Sequence, residues 1–269
     1  MKTHRPLIAF DFDGVISNSI HDSFLTALNS YIEFKPDHKL PLREPIVPAK
    51  RIFEFEKEHA DLFAEFKSLI PMGNRAEDYY VILRIIEESR TSGIPDQETY
   101  DAFRLTLNES LREEYHDFFY QFRINLQNKD PDAWAELLPA FPGIPEIIPT
   151  LSSDFTLAIA TAKDRRSVNI QLEKYGLKKC FAPENILDKD TSESKRGHLA
   201  RFHESHGIPY DQIHFIDDKV LHLVSVADLG VHCYLSMWGF NSEREHAIAD
   251  EHGFVKLKID QLKHFKQFI

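Results

Sequence analysis

Apolar residues along this chain form two kinds of pattern, and the two segregate by position. Short apolar runs occur at 6–10 (PLIAF), 155–162 (FTLAIATA), 213–217 (IHFID) and 230–235 (GVHCYL). Runs of that length, cut off by polar residues, suit strands buried on both faces of a parallel sheet. Helical stretches at 166–175 and 195–206 lie between the later runs. This alternation predicts an α/β fold with a mostly parallel sheet. Between about 19 and 140 the pattern changes, and apolar residues recur at helical spacing. One stretch carries Ile52, Phe53, Phe55, Leu62, Phe63 and Phe66, and a second carries Tyr79, Tyr80, Leu83 and Ile86. A third runs from Tyr100 and Phe103 through Leu107 and Leu111 to Tyr115, Phe118, Phe119 and Phe122. These are the wide apolar faces of amphipathic helices. Pro36, Pro41, Pro45 and Pro48 mark a loop before the first stretch, and Gly93 and Pro95 punctuate before the last. The expected organisation is a core built from residues 1–18 and 140–269, interrupted by an all-helical domain over 19–139.

Composition narrows the function class. The chain has 269 residues, of which 42% are hydrophobic and 21 are Phe, enough to build a sizeable core. A formal charge of -11 leaves no excess of Lys and Arg to neutralise a phosphate backbone, so nucleic acid is not an expected partner. A small phosphorylated substrate stays open, because it needs only a few local cations or a metal. Two cysteines, Cys180 and Cys233, cannot make a disulfide framework and read as small buried hydrophobes. The first apolar run is too short for a signal peptide, and no run of transmembrane length exists, so a cytoplasmic location without membrane partners is expected.

The candidate chemistry sits where the apolar runs stop. Asp11 and Asp13 follow the first run, at the end of a strand where α/β sheets place ligand sites. Residues two apart on an extended chain face the same side, so both carboxylates address one crevice, with Gly14 giving the turn. Asp217 and Asp218 close a second run in the same way. Four carboxylates at neighbouring strand ends repel one another unless a hard cation joins them, and an all-oxygen donor set suits Mg²⁺.

These segments together resemble the haloacid dehalogenase superfamily. FDFDGVISNS resembles its first motif, Thr161 at the end of LAIATAK its second, Lys195 in SESKRGHLARF its third, and IDD at 216–218 its acidic fourth. The stretch FPGIPEIIPTL at 141–151 resembles the return to the core in phosphoglycolate-phosphatase-like members with a helical C1-type cap. The resemblance covers about 1–20 and 140–260, and implies a Rossmannoid three-layer core carrying an inserted cap. It implies a Mg²⁺-dependent phosphatase acting on a small phosphorylated metabolite through an aspartyl-phosphate. Asp11 would be the nucleophile, and Asp13 the general acid and then base. Thr161 and Lys195 would hold the phosphoryl oxygens, joined by the backbone after Thr161 at Ala162. Asp11, Asp13 (through its backbone carbonyl), Asp217 and Asp218 would hold the metal.

The motifs depart from the family pattern in two places. His222 stands where many members carry a further Asp, which leaves open whether Asp217 or Asp218 binds directly. Lys189 lies close enough in sequence to compete with Lys195 for the phosphate-binding role. The presence of Asp13 favours phosphoryl transfer over carbon–halogen cleavage, whose halide leaving group needs no acid. A phosphomutase on the same scaffold and a non-catalytic binding protein of the same fold remain the alternatives. In the helical segment, Gly73-Asn74-Arg75 precedes an amphipathic helix, and Arg75 is the candidate to read the non-reacting end of a substrate.

Overall fold

The computed structural model describes residues 5–42, 46–73, 75–192 and 194–269. Two compact units form, one from Met1–Asn18 with Pro139–Ile269 and the other from Ser19–Leu138.

In the first unit the run after Pro6 becomes β1 (Leu7–Phe10), a strand with no exposed residue. It pairs in parallel with β2 (Thr156–Ala160) on one side and β4 (Ile213–Asp217) on the other. β3 (Ile186–Leu187), β5 (His232–Ser236) and β6 (Val255–Leu257) complete a six-stranded, all-parallel sheet in the order β3-β2-β1-β4-β5-β6. Successive side chains on a strand face opposite ways, and β1 shows the consequence. Ile8 and Phe10 pack with Ile147, Ile148, Val168 and Leu172, from the helices Ile144–Leu151 and Arg165–Lys174. Leu7 and Ala9 pack with Leu199, Phe202 and Leu223, from the helices Lys195–His206 and Val220–Val224. The result is the three-layer α/β core expected from the sequence. Register brings the C-terminal ends of three strands level, because Phe10 pairs with both Ile159 and Ile216. Cys233 is buried as expected, whereas Cys180 is only partly so, and both are free thiols.

β4 also carries a buried polar group, His214, among Phe155, Phe265 and His232, with its Nδ1 3.0 Å from the Tyr234 hydroxyl. Burial, together with the neighbouring His232, pulls its imidazole down to about 4 from 6.5. Below pH 6.5 the unfolded chain therefore takes up a proton that the folded chain refuses until about pH 4. Stability contributed by this site is complete above pH 6.5 and declines as pH falls, by about 3 kcal/mol in all. His214→Gln should flatten that acid-side slope in urea unfolding between pH 7 and 4.5. Equal slopes in the two proteins would contradict the assignment.

The second unit is wholly helical among the described residues. The helix Ile20–Phe34 is buried along nearly its whole length. Its Asp22 carboxylate is fully buried, ion-paired with Arg123 and accepting from Trp134 Nε1 at 3.0 Å. Tyr115 and Phe119 of the helix Glu109–Lys129 pack on Tyr80 and Tyr79. Two of the sequence stretches prove to be broken helices. The first divides at His59 into Ile52–Glu58 and Ala60–Leu69. The last divides at Leu107–Asn108, where the Asn108 side chain accepts from Ser110 N and Leu111 N and starts a new helix. None of the described helices is long and apolar enough to cross a membrane.

Candidate active site

The level strand ends set the geometry. Asp11 directly follows β1, and its backbone N–H donates to Ile216 O at 2.9 Å. Asp217 is the last residue of β4, and Thr161 directly follows β2 with its N–H on Leu187 O. Lys195 begins the helix Lys195–His206, which Ser194 caps by accepting from Gly197 N at 3.1 Å. Its buried Nζ lies 2.7 Å from Asp11 Oδ1 and 3.3 Å from Asp217 Oδ2, and donates to Ala160 O at 2.7 Å. One ammonium thus ties three strand ends together. Lys189, the alternative in sequence, is exposed and pairs with Asp190.

The carboxylates divide electrostatically. Burial pushes Asp11 up to about 6, with Lys195 opposing and the charge of Asp217 adding to the rise. Asp217 is also buried, yet Lys195 and His222 hold its carboxyl well below the usual range. His222 Nδ1 sits 3.1 Å from both Asp217 oxygens, and Lys219 N donates to Oδ1 at 2.8 Å. Burial lowers the proton affinity of His222, and the Asp217 charge more than restores it. Asp11, Asp217 and His222 each offer a ligand atom within 4.8 Å of the others.

Asp218 lies against the turns at Gly14 and Gly239. Its Oδ2 accepts from Phe240 N at 2.9 Å, and a Cβ added to Gly14 or Gly239 would come within 2.4 Å or 2.3 Å of its side chain. Gly14 also has φ +85, so the turn after Asp13 needs glycine both for conformation and for space. Burial pushes Asp218 up to about 7, opposed by Lys219 and assisted by Asp217 and Asp11. The loop carrying Gly239 is anchored by Trp238 Nε1 on Val15 O, Lys219 Nζ on Phe240 O and Asn241 Nδ2 on Ser236 O. Sequence reading did not find this loop, because neither its order nor its contacts leave a local signal.

The turn after β2 holds another residue that the sequence reading missed. Thr161 Oγ1 accepts from Lys163 N at 3.1 Å, which leaves the hydroxyl proton available to donate. Ala162 is exposed beside it. Lys163 is buried, and its Nζ reaches both oxygens of Asp13 at 3.0 Å. The signal available was the spacing, since Lys163 lies two positions beyond Thr161 in a turn at the strand end. In the helical unit Arg75 is exposed, at the start of the helix Ala76–Glu87, with its N–H on Asp78 Oδ2 at 3.1 Å. Asn74 lies outside the described residues.

Residues 76–235 match the haloacid dehalogenase-like hydrolase family. The chain belongs to that family. The matched span contains Thr161, Lys195, Asp217 and Asp218, while Asp11 and Asp13 precede it and join them only through the sheet. Solved structures of the same fold include a haloacid dehalogenase-like family hydrolase from Streptococcus pneumoniae, at 16% identity and TM-score 0.62 over 98% of this chain and 99% of that one. A predicted phosphoglycolate phosphatase from Haemophilus somnus 129PT is similar at 17% identity and TM-score 0.61, over 99% of this chain and 100% of that one. A predicted phosphatase from Clostridium acetobutylicum is similar at 15% identity and TM-score 0.57, over 99% and 100%. At these identities the likeness establishes the dehalogenase-like fold. What this family member acts on has to be argued from its own side chains.

Proposed function

We propose that this hydrolase is a metal-dependent phosphatase that cleaves a small phosphate monoester through an aspartyl-phosphate on Asp11. The observation that carries the reading is the pair of carboxylates after β1, each matched to its own buried lysine, beside a Thr161 hydroxyl free to donate. In the first step an Asp11 oxygen attacks phosphorus. The bond from phosphorus to the ester oxygen breaks, and Asp13 protonates the departing oxygen. In the second step water attacks the phosphorus and gives its proton to Asp13. The bond to Asp11 then breaks, releasing inorganic phosphate and restoring both carboxyl groups. Thr161, Lys195 and the backbone at Ala162 supply donors to the phosphoryl oxygens. Two of the similar structures carry phosphatase names, which supports this reading.

The residues also fit a divalent cation. Asp218 is buried with no cation within ion-pair distance among the described residues, and its proton affinity rises to about 7 through burial and the charges of Asp217 and Asp11. A hard cation such as Mg²⁺ would relieve that repulsion and is compatible with an all-oxygen set of Asp11, the Asp13 carbonyl, Asp217 and Asp218. When bound, it supplies charge neutralisation between the phosphate and Asp11. Arg75 is proposed as a contact to the non-reacting end of the substrate. A screen of phosphorylated metabolites with Mg²⁺ present should identify at least one that releases inorganic phosphate, with turnover abolished by excess chelator and restored by Mg²⁺. Undiminished turnover in chelator would remove the metal from the scheme, and isomerisation without free phosphate would make the protein a mutase.

A further inference from the structure

Lys163 is a buried lysine to which the scheme above gives no step. Its side chain is 4% exposed, while the Asp13 side chain it grips is 33% exposed. The ammonium lies 3.0 Å from each carboxylate oxygen, a symmetric contact that fixes both the position and the rotation of the group. Lys163 is itself held at its backbone, since its N–H is tied to Thr161 Oγ1. Asp13, by contrast, sits on a loop between a strand and a glycine turn. Among the described residues no other side chain hydrogen-bonds or ion-pairs with its carboxylate. Asp11 is fixed from two directions, by Phe12 N at 2.6 Å and by Lys195. Lys163 is therefore the side chain that sets the rotamer of the Asp13 carboxylate among the described residues.

We infer that Lys163 is a positioning residue, holding Asp13 where its oxygen can serve the leaving group and the attacking water. The inference rests on the phosphatase reading and deepens it by assigning separate cations to the two halves of the mechanism. Lys195 serves the nucleophile and the phosphoryl group, whereas Lys163 serves proton transfer through Asp13. General acid–base catalysis contributes about 10²-fold or more when the group is well placed, so the loss should be of that order.

The test is a double-mutant cycle on an alkyl phosphate, glycerol 2-phosphate, and on 4-nitrophenyl phosphate, whose phenolate leaves without help from an acid. Lys163→Met should lower kcat on the alkyl ester by about 10²-fold with KM changed only severalfold. On the nitrophenyl ester a burst of one nitrophenolate per enzyme should persist ahead of slow turnover, because only the water step still needs Asp13. In an Asp13→Ala background, adding Lys163→Met should change nothing further, and Lys163→Arg alone should restore much of the lost rate. Losses that add in the double variant, or a rise in KM equal to the loss in kcat/KM, would make Lys163 a phosphate contact and overturn the inference alone. If Lys163→Met does not fold, Lys163→Gln enters the same cycle. Absence of phosphate release from both esters by the parent protein would overturn the phosphatase reading, and this inference with it.

Discussion

Asp11→Asn should abolish turnover, by at least about 10³-fold, in a protein that remains folded. The amide keeps the shape of the side chain and can still accept from Phe12 N, so the turn after β1 has no reason to move. What it removes is the attacking charge. The wild-type carboxylate is costly to keep ionised, since burial and Asp217 push its proton affinity up to about 6. Neutralising it relieves that repulsion, and Lys195 retains Asp217 and Ala160 O as partners. Activity and stability should therefore part company in this variant, the first collapsing while the melting temperature holds. Turnover near the parent level in a folded Asp11→Asn protein would mean that another group attacks phosphorus.

Lys195→Met should damage both. Removing the ammonium leaves Asp11 and Asp217 buried side by side, offset among the described residues by His222 and backbone N–H groups. Breaking a buried pair from one side typically costs about 3–5 kcal/mol, because the remaining charge stays buried and uncompensated. Lys195 itself is held above its ordinary proton affinity by Asp11 and Asp217 against the effect of burial, which is the same coupling seen from the other partner. In the variant Asp11 should keep its proton to higher pH. The stability deficit in metal-free buffer should then be larger at pH 8 than at pH 5.5, where protonation of Asp11 relieves the repulsion. Chemical denaturation at the two pH values measures this, and a deficit under about 1 kcal/mol at both would show that the pair is not coupled as described. Turnover should fall by about 10²- to 10³-fold, the range for losing a preorganised charge at the reacting group.

Much of the core was legible because its signals are local. β1, β2, β4 and β5 are short, mainly apolar runs, and the acids stand where the first and third of those runs end. β3 and β6, of two and three residues, are too short for any periodicity and exist because a neighbouring strand supplies their partners. The helix Ile20–Phe34 carries its apolar stripe at Ile20, Phe24, Leu28, Tyr31 and Ile32, but its polar residues are buried too, which no periodicity announces. Ser30 Oγ turns back to Thr26 O, and the Asn29 amide exchanges two 2.8 Å hydrogen bonds with the backbone of Val47. At the site, Asp11, Thr161, Lys195 and Asp217 converge because each stands at a strand end or helix start. Lys163 was hidden because a lysine next to an aspartate in a turn looks solvated in sequence. Only the approach of the β1 loop to the β2 turn buries it.

The helical unit leaves and re-enters the core through a single stitched point. Asn18 N donates to Pro139 O at 2.8 Å, and Ser17 forms a bridge with Ala140. Topologically, residues 19–138 are a loop whose two ends are already closed, so its length adds little entropic penalty to core folding. Replacement, lengthening or reshuffling inside that loop does not shift the register that sets Asp11 beside Thr161 and Asp217. The segment between the stitched ends can change length at little entropic cost, while the segment outside them carries the strand pairing on which the site's register depends.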